Sequence, residues 1–142
     1  METNERKNID LLVEQFWKKG YLTISRKYGT YLPEPGKVGA FDVDIVARYR
    51  NDYAIGINLD RNELFDPNLS KKLIYLATRH TKFSNKLVKL FAGVLEENFK
   101  QAKAIIDELD ENVKKNIKLF RIVDKSLPST RKSRFETNVL FS

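Results

Sequence analysis

The chain has 142 residues, 42% hydrophobic and 32% charged, which is enough for one packed core and too apolar for a disordered polymer. It has no cysteine, so disulfides and thiolate metal sites are excluded. A formal net charge of +7 and a pI near 9.5 favour an anionic partner, nucleic acid being the commonest, although lysines often do no more than solvate a surface.

Residues 3–19 predict a helix, because Ile9, Leu12, Val13 and Phe16 recur at helical spacing and Lys18, Lys19 and Gly20 supply a stop. The opening M-E-T-N-E-R-K-N has no apolar core of the signal-peptide kind. The longest apolar run, 87–95, is broken by Lys89 and is too short to span a bilayer. A cytoplasmic protein without membrane contact is the expectation.

Residues 21–26 read as a strand, and 27–37, with two prolines and two glycines, as a loop. Tyr28 and Tyr31 beside Arg26, Lys27 and Lys37 suit base stacking, or equally tyrosines covering a sheet edge. Residues 41–49 form a second strand with Asp42, Asp44, Val46 and Arg48 on one face. After the turn Arg50-Asn51-Asp52, residues 53–59 form a third strand that continues to Asp60 if it persists. Ionised aspartate is disfavoured in strands and costly to bury, so Asp42 and Asp44 at the mouth of an apolar run point to metal, substrate or proton chemistry. A register placing Asp44 near Asn58 or Asp60 is compatible with the turn but not fixed by it.

Residues 69–79 suit a helix, although K-L-I-Y-L-A-T also reads as a strand. Residues 86–95 are apolar on both faces, as in a strand covered by helices on both sides, and Gly93 marks a close backbone approach. Residues 96–112 predict a helix with the stripe Phe99, Ala102, Ile105, Ile106 and Leu109, and 116–123 an alternating strand. A single domain over 1–124 is expected, followed by a tail, 125–142, with a short strand at 137–141 as an option. The tail carries Arg131, Lys132 and Arg134 as candidate phosphate contacts. His80, the sole histidine, has no triad or zinc signature around it and reads as a surface residue near a helix end.

The order αβββαβαβ gives an α/β sandwich with a mixed central sheet flanked by helices. With acids on its second strand, it resembles the PD-(D/E)XK nuclease superfamily, the restriction-endonuclease-like fold. Archaeal Holliday junction resolvases and small archaeal or viral nucleases look nearest. The resemblance covers residues 9–123. It rests on Lys18-Lys19-Gly20-Tyr21 at the end of the first helix, on Asp44-Ile45-Val46-Ala47, and on the apolar strand that follows.

The resemblance implies a catalytic strand of the form I-E-V-K, where this chain has Ile55-Gly56-Ile57-Asn58. Asp44 then matches the first acid, Gly56 stands for the second carboxylate and Asn58 for the lysine. Two carboxylates would hold a Mg²⁺ ion and the lysine would position water, so the standard site is broken. Three readings follow. The first is a DNA-binding (rather than RNA-binding) protein, homodimeric as many such relatives are, with a degenerate, non-cleaving site at Asp44, Asp42, Asn58 and Asp60. Its nucleic-acid contacts would be Arg26, Lys27, Tyr28, Tyr31, Lys37, Arg48 and the tail cations. The second is an active Mg²⁺-dependent endonuclease whose ligands, Asp44 and Asp60 above all, are rearranged with Asp42 and with Glu34 or Asp10. Lys27, Lys37 or Arg48 would then supply the missing charge. The third is an unrelated α/β protein, or an adaptor for other proteins if no nucleic acid binds.

Overall fold

Residues 54 to 57 and 90 to 94 are buried without interruption, so the two strands that carry them must be covered on both faces. The computed structural model describes residues 2–82 and 84–122, with side chains from residue 5 onward. It places these two strands at the centre of a five-stranded sheet. The elements are α1 (Glu2–Lys18), β1 (Leu22–Arg26), β2 (Ile45–Tyr49), β3 (Asp52–Asn58), α2 (Arg61–Leu64) and α3 (Leu69–Ala77). They are followed by β4 (Lys89–Leu95), a 3₁₀ turn (Glu96–Asn98), α4 (Phe99–Asp107), α5 (Glu111–Lys114) and β5 (Ile117–Ile122).

Strand order is sequential, β1-β2-β3-β4-β5. The first three strands are antiparallel, with Tyr49 paired to Asp52 across the two-residue turn. Arg50 takes a left-handed φ of 57° there, which a side chain tolerates only in a tight turn. The β3–β4 and β4–β5 pairs are parallel, so each requires a helical crossover, supplied by α2 and α3 and then by α4 and α5. The protein is thus an α/β fold with a mixed sheet.

Alternation along the strands divides the core. Ile9, Leu12 and Phe16 of α1 pack on Ile45, Ala47, Ala54 and Phe91. On the other face Leu69, Leu73 and Leu76 of α3, Ala102 and Ile106 of α4 and Val113 of α5 pack on Ile55, Ile57, Leu90, Ala92 and Val94. Phe16 anchors the first layer, stacked on Phe91 with ring centroids 4.4 Å apart. Buried Asn116 ties the second layer together, its Nδ2 donating to the carbonyls of Ala77 and Val88 at 2.8 Å each.

Two boundaries differ from the sequence reading, and the segment read as a helix with a strand as alternative is the helix. The second strand begins at Ile45, not at Phe41, and Phe41 keeps only an isolated bridge to Val38. Asp42 and Asp44 therefore precede the strand and do not share one of its faces. K-L-I-Y-L-A-T is helical, because Leu69, Leu73, Leu76 and Ala77 need one buried stripe at spacings of four, three and one. The helix expected over 96–112 is broken at 108–110, and the separate α5 turns Val113 into the core. The tail and its optional strand at 137–141 lie outside the described residues. No helix among the described residues is long and apolar enough to cross a membrane.

Gly56 lies directly beneath the Phe16 ring. An added Cβ would stand 2.6 Å from Phe16 Cε2 and 3.1 Å from Ile45 Cβ. Gly56→Ala is therefore expected to cost about 1–3 kcal/mol by overpacking, read from denaturant unfolding. A loss below about 0.5 kcal/mol, the range of an inconsequential substitution, would contradict this packing.

Candidate functional site

The three parallel strands end on the same side of the molecule, and a polar cleft of about 710 Å³ opens beyond them. Open α/β sheets bind ligands in this position, outside the carboxyl ends of the strands. Asn58, Gly93 and Ile122 come from the strand ends and Glu5, Asn8 and Ile9 from the first half of α1. Lys27, Asp44, Asp60, Arg61, Glu63, Glu97 and Gln101 are among the other lining residues.

Asp44 organises this cleft. Its Oδ2 accepts the Asn58 N–H at 2.8 Å, and its Oδ1 lies 3.4 Å from the Lys27 ammonium. The backbone fixes Lys27 and Asp44 themselves. The Lys27 N–H donates to the Asp44 carbonyl at 2.9 Å, and the Asp44 N–H donates to the Gly56 carbonyl at 2.9 Å. The Asp44 side chain is only 16% exposed, so its charge is answered inside the protein.

Both polar atoms of the Asn58 side chain are out of contact with water, and neither has a hydrogen-bond partner among the described residues. An unmatched buried amide costs about 1–3 kcal/mol. Gly93 leaves the space for it, since a Cβ there would lie 2.6 Å from Asn58 Oδ1 and 2.7 Å from Ile122 Cδ1. Asp60 caps α2, accepting the Glu63 N–H at 2.8 Å. Glu63 itself is 3.2 Å from the Lys72 ammonium. Burial holds the Glu63 carboxyl above its ordinary value; Lys72 pulls it down, while Asp60 and Asp44 add to the rise.

The structure thus brings Asp44, Asn58, Asp60 and Lys27 together and leaves other expected residues elsewhere. Asp42 is exposed in a separate hollow of about 200 Å³ with Glu63, Asp66 and Lys72. Arg26, Tyr28 and Tyr31 border another, of about 210 Å³. There Arg26 is paired with Asp10 and Tyr28 donates to Glu5 Oε2 at 2.8 Å, while Tyr31 is 95% exposed. Lys37 is exposed, and Arg48 lies over the Tyr53 ring at 5.8 Å. Arg131, Lys132 and Arg134 lie outside the described residues. Gly56, set in the core against Phe16, does not line the cleft.

The sequence reading missed Glu5, Glu63 and Glu97, all of which line the cleft. Only Glu63 left a local signal: Asp60-Arg61-Asn62-Glu63 has the spacing of a capping box. A magnesium ion needs near-octahedral oxygen ligands. Among the described residues no three aspartate, glutamate or histidine side chains converge in a way that would hold a metal ion. Of the expected ligands, Asp44 is engaged by Lys27 and Asn58, and Asp60 by the Glu63 N–H. In this arrangement the carboxylates expected as ligands are held by protein partners. No family model, curated protein or solved structure matches the chain.

Folding raises the Glu63 pKa above its ordinary value of 4.5, so the folded state binds that proton more tightly than the unfolded chain. The stability this contributes is full below the unfolded value and is lost as pH rises through the folded one. Glu63→Gln, neutral at every pH, should therefore gain stability relative to the parent between acid pH and neutrality, read from urea midpoints. A gap that narrows with rising pH would contradict the burial argument.

Proposed function

We propose that the chain is a nucleic-acid-binding domain, DNA being the expected polymer, on a restriction-endonuclease-like frame that binds without cleaving. The frame reading is supported by the element order and by the position of Asp44, at the entry to the second strand and beside the end of the third. Nucleic acid is supported by the net charge of +7.

One observation carries the non-cleaving part. The Asp44 carboxylate, which in a nuclease of this kind would hold a metal ion, is satisfied by Lys27 and by the Asn58 N–H. The β2–β3 register pairs Ile45 with Gly56, so the side chains that follow Asp44 into the cleft are those of Asn58 and Asp60. The correspondence with I-E-V-K accordingly moves two residues along: Asn58 stands for the second acid and Asp60 for the lysine. A neutral amide gives a divalent cation little, and a carboxylate cannot serve as the cationic group beside the attacking water.

A rearranged nuclease is the second reading. Glu63 favours it, being a partly buried acid close enough to Asp60 and Asp44 to feel both charges. The two readings separate in one assay, incubation with branched, double-stranded and single-stranded DNA and with RNA in Mg²⁺ or Mn²⁺. Binding that weakens steeply with salt and leaves every substrate intact is the expected outcome. Cleavage that disappears in Asp44→Ala would establish the rearranged nuclease instead.

A further inference from the structure

The two ends of the sheet differ in charge. Among the described residues lining the cleft, the carboxylates of Glu5, Asp44, Asp60, Glu63 and Glu97 outnumber the cations Lys27 and Arg61, and Lys72 offsets Glu63 alone, so a phosphate chain meets net repulsion there. The other end, where β2 finishes and β3, β4 and β5 begin, is rich in lysine.

Its assembly follows from the register. Gly20, with a φ of 91°, turns the chain from α1 into β1, and an added Cβ there would stand 3.2 Å from the Tyr49 ring. The cationic end of α1 therefore sits against the end of β2. Lys89 opens β4 beside Ala54, and Lys118 on β5 is the partner of Phe91. Phe91 and Phe120 belong to the layer that α1 covers, so Lys89 and Lys118, two residues earlier on the same strands, face that side. The Lys19 ammonium lies over the Phe120 ring at 5.9 Å, on the same side. Lys86 lies 3.5 Å from Asp52, an acid in this corner. All four lysines are exposed, as are Trp17 (67%), two residues before Lys19 on α1, and Tyr49 (40%), whose ring lies against Gly20.

We propose that this corner, Lys19, Lys86, Lys89 and Lys118 with Trp17 and Tyr49, takes the phosphate backbone of a nucleic acid, and that the cleft does not. The inference rests on the nucleic-acid-binding reading and assigns it a surface. Lysines gathered from a helix end, a loop and two strands offer point charges to phosphates, and the exposed Trp17 and Tyr49 rings, the latter with Arg50 over it at 5.4 Å, offer stacking surface to unpaired bases.

The test is fluorescence anisotropy of a short labelled DNA duplex and its single strand with the full chain, across a salt series. The triple variant Lys19→Glu, Lys89→Glu and Lys118→Glu should bind at least about tenfold more weakly. It should also flatten the logarithmic salt dependence by up to about three, since each duplex phosphate contact contributes about 0.9. Arg61→Ala, in the cleft, should change neither quantity. If the triple variant fails to fold by circular dichroism, Lys89→Ala and Lys118→Ala singly should each lower the slope by about one. A parent chain that binds no nucleic acid overturns the underlying reading and this assignment together. A parent that binds, with a folded triple variant that binds equally well, overturns the corner alone. So does loss of binding in Arg61→Ala, or in a variant neutralising Arg131, Lys132 and Arg134 while the corner variant keeps it.

Discussion

The Asp44 carboxylate links the residue after β1, the entry to β2 and the end of β3. One oxygen takes the Asn58 N–H and the other faces the Lys27 ammonium. Charge-assisted bonds of this kind are about twice as strong as neutral ones, and here Asp44 is also joined through its backbone to Lys27 and to Gly56. The antiparallel half of the sheet is thereby fixed to the parallel half at the point where the cleft opens. Without Asp44, a partly buried lysine and a backbone donor would both lose their acceptor.

The same arrangement determines what the cleft offers chemically. Asp44 has its charge answered within the protein by a lysine and a backbone N–H. Its neighbour Asn58 contributes an amide that no described residue satisfies, and Asp60 is committed to capping α2. The other charged residues lining the cleft are Glu5, Glu63 and Glu97 with Lys27 and Arg61. Positive charge has collected instead at the far end of the sheet, where α1 terminates and β4 and β5 begin. Separated charge of this kind orients a protein as it approaches a polyanion, before any specific contact forms.

Much of the frame was legible in the sequence because it depends on local periodicity. The α1 stripe, the doubly buried run of β4 and the alternation of β5 each announced their element. The cleft was harder to read. The resemblance set Gly56 where a second carboxylate would stand. Asp44 beside Asn58, which the turn allowed without fixing, is the arrangement found. The register instead pairs Gly56 with Ile45 and sends it under Phe16. That ring arrives from α1, forty residues earlier in the chain, and no spacing within the hairpin reports it. Glu5 and Glu97 were missed for the same reason. They reach the cleft from α1 and from the turn after β4, through a topology in which all the parallel strands end together. The break at 108–110 had no proline to mark it, and it follows from the need to bring Val113 back onto the sheet.

The proposed division of labour between an acidic cleft and a basic corner is most directly tested by following the backbone amides of the isotope-labelled full chain during titration with a short DNA duplex. The account predicts that shifts concentrate at residues 17–20, 49–52, 86–89 and 116–118. Shifts concentrated at Lys27, Asp44, residues 58–63 and residues 93–98 would contradict it.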